Sequence, residues 1–349
     1  MLRMVIITDN VSHMKKRLLA PLIALPALAL VLSGCSTSPG SADSSGDSTA
    51  PISIVASTSV YGSIASEIVG DHGTVTSLIS SVAQDPHSYE ATAQDTLAVS
   101  KADVVIKNGG GYDDFMNTIL DANKGTAPKV VDAAEASGLL PGHAAHNHDH
   151  DDETAKVDDS SKEAGKDHDV HNHVEGFNEH VWYSFEGVKN VAHDLAHVLG
   201  DARPAEADAF HKNYEKFVGQ LDELTKSAEA LKPELEGKNA AITEPVPMYL
   251  LDSVGLNNVT PSEYSEAVEE GTDVSPAVMQ ATLKAVGAGD VLLLAYNDQT
   301  SGPETEQVRK AAEAAGVKVV DFTETLPDKK DYVSWMQDNI NNLAKVVGK

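Results

Sequence analysis

The sequence predicts an α/β fold: two Rossmann-like lobes joined by one long helix. Three observations carry that prediction. Short β-branched runs alternate with stretches of helical period from residue 52 onward, as in parallel-sheet domains. The alternation stops near residue 141 and resumes near residue 239. Between the two blocks lies the longest amphipathic signal in the chain, over residues 204–235.

In order, "ISIVAST" reads as a first strand, "GSIASEIVG" as a helix and "TVTSLI" as a second strand. "ATAQDTLAVSKA" follows as a helix, "DVVIKNGG" as a third strand, and "DDFMNTILDAN" with "KVVDA" continues the series. Residues 141–176 then carry almost no large apolar side chains. Such a stretch cannot offset the entropy of ordering itself, so it is expected to be a long mobile loop.

Ala207, Phe210, Tyr214, Phe217, Leu221, Leu224, Ala228 and Leu231 recur every three or four residues and fall on one helix face. Pro204 suits the first turn of that helix and Pro233 the approach of its end. The second α/β block comprises "NAAIT", a helix through "MYLLDSVG", the helix "SPAVMQATLKAVGAG" and the strand "DVLLLAY". The helix "GPETEQVRKAAEAAG", the strand "VKVVDF" and a terminal helix "YVSWMQDNINNLAKVV" complete it. The expected division is a first lobe over 51–203, a connecting helix over 204–236 and a second lobe over 237–349.

The first 35 residues read as a leader. Lys15, Lys16 and Arg17 precede an apolar run over 18–32, too short for a spanning helix, and then Leu32-Ser33-Gly34-Cys35. This pattern resembles a bacterial lipobox, in which Cys35 is acylated and becomes the mature N-terminus; residues 1–13 would then precede the working start. Residues 36–50, rich in Ser, Gly and Asp, read as a flexible tether. Cys35 is the chain's single cysteine, so no intramolecular disulfide forms and no thiolate joins a metal site. A formal charge of -27, with 26 basic against 53 acidic residues, argues against a nucleic-acid partner.

Ligands gather where the strands of open α/β sheets end. Four groups fall at such edges: His87 in "QDPHSYE", His180 in "NEHVWYS", Glu244 in "ITEPVPMYLL" and Glu324 in "VVDFTETLP". Two imidazoles and two carboxylates carry a formal charge of minus two, which a divalent cation cancels.

These motifs and the long helix together resemble the metal-binding solute receptors of bacterial ABC importers, the zinc and manganese cluster. The resemblance covers residue 52 to the C-terminus apart from the polar loop. It implies two lobes on a rigid helix with the cation in the cleft, two ligands coming from each lobe: His87 and His180, then Glu244 and Glu324. The family usually has Asp at the last position, so water in place of Glu324 stays open. It further implies an ABC permease and its ATPase as partners, a lipid anchor on the outer face of the cell membrane, a monomeric receptor and no catalysis.

The ligand set alone serves Zn2+ or Mn2+. His143, His146, His148, His150, His168, His171 and His173 are seven of the chain's 14 histidines. Imidazole-rich tracts favour zinc, so the loop reads as an auxiliary zinc collector beside the cleft. "HDLAH", His193 to His197, has the spacing of a zinc hydrolase but places Asp194 where the catalytic Glu belongs. That pair therefore reads as polar helix surface. An adhesin, or a metal buffer without a transporter, is the remaining class.

Overall fold

The computed structural model describes residues 50–349 other than 126, 143–173 and 175. Cys35, the leader and tether, and all seven loop histidines lie outside the described residues.

The first sheet is built from β1 (Ile52–Thr58), β2 (Gly73–Ile79), β3 (Val104–Lys107) and β4 (Lys129–Asp132), parallel throughout and ordered β2-β1-β3-β4. Its crossovers include α1 (Ser59–Val69), α2 (Ala93–Val99) and α3 (Phe115–Ala122), and α4 (Ala133–Ser137) follows β4. The second sheet repeats the plan with β5 (Asn239–Ile242), β6 (Asn257–Asn258), β7 (Val291–Asn297) and β8 (Lys318–Phe322), ordered β6-β5-β7-β8 and again parallel. In each sheet the chain leaves the first strand one way and returns on its other side. That reversal opens a crevice at the carboxyl edge.

Two helices stand between the sheets in sequence. α5 (Phe185–Ala202) was legible only in its "HDLAH" segment. Ser184 caps it, its Oγ accepting from Gly187 N at 3.1 Å, and Val188, Val191, Leu195 and Leu199 line its buried face. α6 (Ala207–Glu229) packs closely on it. The amphipathic signal over 204–235 predicted one helix; the structure divides it into a 3-10 turn at Pro204–Glu206, α6, and a short α7 (Lys232–Leu235). Pro233 is the cause, because it has no N–H to give to Glu229 and its ring crowds that carbonyl. At 23 residues, α6 is about 35 Å long.

The second lobe adds α8 (Met248–Ser253), α9 (Ser262–Glu269), α10 (Pro276–Val286) and α11 (Pro303–Ala314). α9 had no counterpart in the sequence reading. The last helix, α12 (Tyr332–Val346), is capped by Asp331, which accepts from Ser334 N at 2.7 Å. It packs on α6 and touches α1, so the end of the chain returns to its beginning. One continuous apolar cluster results, running from Ile54 and Ile64 through Leu195, Phe217 and Leu221 to Ile242, Phe322 and Trp335.

Candidate metal centre

His87 follows β2. Its backbone N–H donates to Asp85 Oδ1 at 2.9 Å, and its ring meets Tyr112 edge to face with centroids 4.8 Å apart. Tyr112 reaches this place through the Gly109-Gly110-Gly111 turn after β3, where all three residues have positive φ. A Cβ on Gly109 would lie 2.2 Å from the Asp132 carboxylate, and one on Gly110 would lie 2.5 Å from the Phe177 ring. Only glycine fits there. The triple glycine is thus a packing turn beneath the histidines.

His180 is buried at the entrance to the Val181–Tyr183 turn that leads into α5. Its Nδ1 lies 2.7 Å from Asn178 Oδ1, so the amide oxygen holds the proton on Nδ1 and leaves Nε2 basic. Asn178 Nδ2 donates to Pro245 O at 3.0 Å, and Tyr249 donates to Asn178 O at 2.8 Å. The His180 segment is therefore tied to the second lobe.

Glu244 and Glu324 each stand two residues past a strand end, after β5 and β8, and both are 2 % exposed. Asn297, the last residue of β7, donates from Nδ2 to Glu324 Oε1 at 2.7 Å and to Glu244 Oε2. Gln299 Oε1 accepts from Glu324 N at 2.6 Å and Thr325 N at 3.0 Å. One amide thus clamps both carboxylates, and the next turn fixes the loop that carries Glu324.

Donor atoms of His87, His180 and Glu324 lie within 4.8 Å of one another, with His87 Nε2 3.8 Å from Glu324 Oε2. Glu244 is not part of that trio; its link to it is through Asn297. A second trio joins His87 to Glu179 and Glu269, and Glu269 Oε1 lies 3.8 Å from His180 Nδ1. Glu179, Glu269 and Asn297 were missed from sequence. Glu179 directly precedes His180, Glu269 closes the unrecognised α9, and Asn297 stands just past the apolar part of its strand.

Burial, above all, pushes the Glu244 carboxyl well above the ordinary carboxylate range. Burial does the same to Glu324, and the charge of Glu244 adds to it. Glu269 is raised by burial and then by Glu179, Glu244 and Glu324. Four carboxylates gathered beside two imidazoles repel one another out of water, and a cation relieves that repulsion directly.

Two parallel sheets with their crevices sharing one buried cluster of imidazole and carboxylate donors define a two-lobed solute-binding receptor. The chain belongs to the family described as zinc-uptake complex component A, periplasmic (ZnuA), whose pattern matches residues 54–346. Its members are substrate-binding components, not enzymes. The manganese ABC transporter substrate-binding lipoprotein ScaA of Streptococcus gordonii is 23% identical over 339 residues, covering 94% of this chain and 98% of its own length. The zinc-binding lipoprotein AdcA of Streptococcus pneumoniae is 24% identical over 288 residues, covering 80% of this chain and 52% of its own. Among solved structures, the periplasmic zinc-binding protein TroA of Treponema pallidum superposes with a TM-score of 0.65 at 17% identity, covering 86% of this chain and 100% of its own.

Proposed function

We propose that this protein is an extracytoplasmic receptor that captures a divalent cation, zinc foremost, and delivers it to an ABC permease and its ATPase. His87, His180, Glu244 and Glu324 are the proposed ligands, the first two supplied by the first lobe and the others by the second. The observation that carries the reading is the convergence of His87, His180 and Glu324 donors in one buried cluster, with Glu244 clamped to it by Asn297. Acylation of Cys35 would hold the receptor at the outer face of the membrane, in keeping with relatives named as lipoproteins.

Zinc is favoured by the two imidazoles of the cluster and by the seven histidines of the 143–173 segment. Manganese is the second reading, and Glu179 and Glu269 favour it, because Mn2+ takes more oxygen ligands than zinc does. Relatives carry names of both kinds. Competition titration of Zn2+ against Mn2+ decides between them. On the zinc reading, His87→Ala lowers zinc affinity by orders of magnitude, and removing residues 143–173 lowers stoichiometry while one tight site remains. Loss of tight binding with the segment would reverse the assignment.

Release would occur when docking on the permease separates the histidine pair from the carboxylate pair. The buried cation would then lose half of its ligands, and on the histidine side all of its charge compensation.

A further inference from the structure

Away from the cleft, α5 carries a second pair of converging nitrogens. His193 and His197 stand one helical turn apart, their Nε2 atoms 3.1 Å from each other and their ring centroids 4.4 Å apart. His193 is half-buried against Tyr214 of α6 and His197 is exposed. His211 of α6 stacks on the same Tyr214, with centroids 5.9 Å apart. His197 and His211 line one groove of about 440 Å³ between α5 and α6, together with Asp201 and Asp208.

We propose that His193 and His197 form a separate, exchangeable surface site for an imidazole-preferring transition-metal cation such as Zn2+. The geometry is that of a chelate. Two nitrogens bound to one zinc at about 2.0–2.1 Å stand about 2.9 Å apart at a right angle and about 3.3 Å apart at the tetrahedral angle. The observed 3.1 Å lies between these limits, so the two nitrogens already have the separation that one shared cation requires. What it displaces is the proton shared between the two rings, which a tautomer shift moves to an outer Nδ1. The site faces solvent, so the cation keeps water at its remaining positions and loses little hydration. Asp201 and Asp208 raise the local cation concentration without being required as ligands. Mn2+, which prefers oxygen, gains little from a pair of imidazoles.

The pair differs from the cleft in kind. It has two ligands in place of four and no buried charge to neutralise, so it binds weakly and releases quickly. Among the described residues no third metal-binding donor joins the pair, as hydrolysis would demand.

Histidine footprinting on the full-length protein tests this residue by residue. Diethylpyrocarbonate modification, read by peptide mass spectrometry, reports His193 and His197 separately from the cleft and from the 143–173 segment. At free Zn2+ about ten times the Kd of the pair, mass action leaves about one tenth of it reactive, so both rates fall about tenfold together. In the His197→Gln variant, protection of His193 should vanish at the same zinc concentration, while His87 and His180 still respond to zinc as in the parent. Unchanged rates at His193 and His197 up to millimolar Zn2+ would overturn the proposal. So would persistent protection of His193 in His197→Gln, or equal protection by Mn2+.

Discussion

At the scale of single residues, Asn297 has the most work to do for its size. Its one Nδ2 group donates to Glu244 and Glu324 together, holding side by side two carboxylates that would otherwise repel into separate rotamers. Asn297→Ala should leave the fold intact and weaken zinc binding by about tenfold to a hundredfold, the usual cost of losing a group that orients ligands. Calorimetric titration of the variant checks this, and unchanged affinity would remove Asn297 from the site. The raised carboxyls also set a pH dependence. Glu244 and Glu324 hold protons in the folded apo protein at pH values where the unfolded chain has lost them. The folded state therefore binds more protons, and apo stability declines as pH rises from the ordinary carboxylate range, about 4.3, toward the raised values. Metal binding needs the same groups ionised, so it should release protons near neutrality and weaken as pH falls. Titrations in buffers of different ionisation enthalpy measure the release directly; none at pH 7 would contradict the raised carboxyls. Of these residues, His87, His180, Glu244 and Glu324 were legible as candidates because each follows a β-branched run or the polar segment. Glu269 was not, since nothing in "SEYSEAVEE" distinguishes a carboxylate that enters the cleft from one in water.

At the scale of elements, strands were easier to read than helices. The runs of Val, Ile and Leu that form β1, β3, β7 and β8 have few alternative uses in a buried parallel sheet. α5 was not legible outside "HDLAH" because its apolar stripe is diluted by Gly187, Gly200 and several alanines, and because it starts just after a stretch with no pattern at all. Its start is nonetheless encoded by Ser184, whose hydroxyl accepts from the N–H of Gly187. Ser184→Ala should cost about 1 kcal/mol of stability, as the loss of an N-cap generally does. Because Ser184 stands only four residues after His180, the same variant should also loosen that proposed ligand and lower metal affinity several-fold. Urea unfolding paired with zinc titration separates the two effects. A stability loss with affinity unchanged would show that the Asn178 contacts alone position His180.

At the scale of the whole molecule, the question is how far the two lobes can move when a cation arrives. Three features restrain them. α6 is a helix of 23 residues, without an internal Pro, whose apolar face joins the common core. α12 belongs by sequence to the second block yet packs on α6, with Tyr332 N donating to Ser63 Oγ at 2.9 Å and Tyr332 Oη donating to Trp182 O at 2.6 Å. Near the proposed ligands, Tyr183 donates to Thr323 O at 2.8 Å and Leu326 N donates to Ser59 Oγ at 3.1 Å, so both cleft walls are already bonded across the gap. A wide swing would break these bonds and expose part of a continuous apolar core, at about 25 cal/mol for each Å² uncovered. Shifting a single ligand loop costs far less. Metal binding should therefore order the segments bearing His87, Glu269 and Glu324 while leaving the lobes nearly fixed. For a folded unit of about 300 residues the radius of gyration is about 19 Å, and solution scattering should detect a change of less than about 1 Å on zinc addition. Hydrogen exchange should meanwhile slow in those three segments and stay constant in α6. A contraction of several ångströms, with exchange altered along α6 itself, would mean that the helix bends and the lobes close as a hinge.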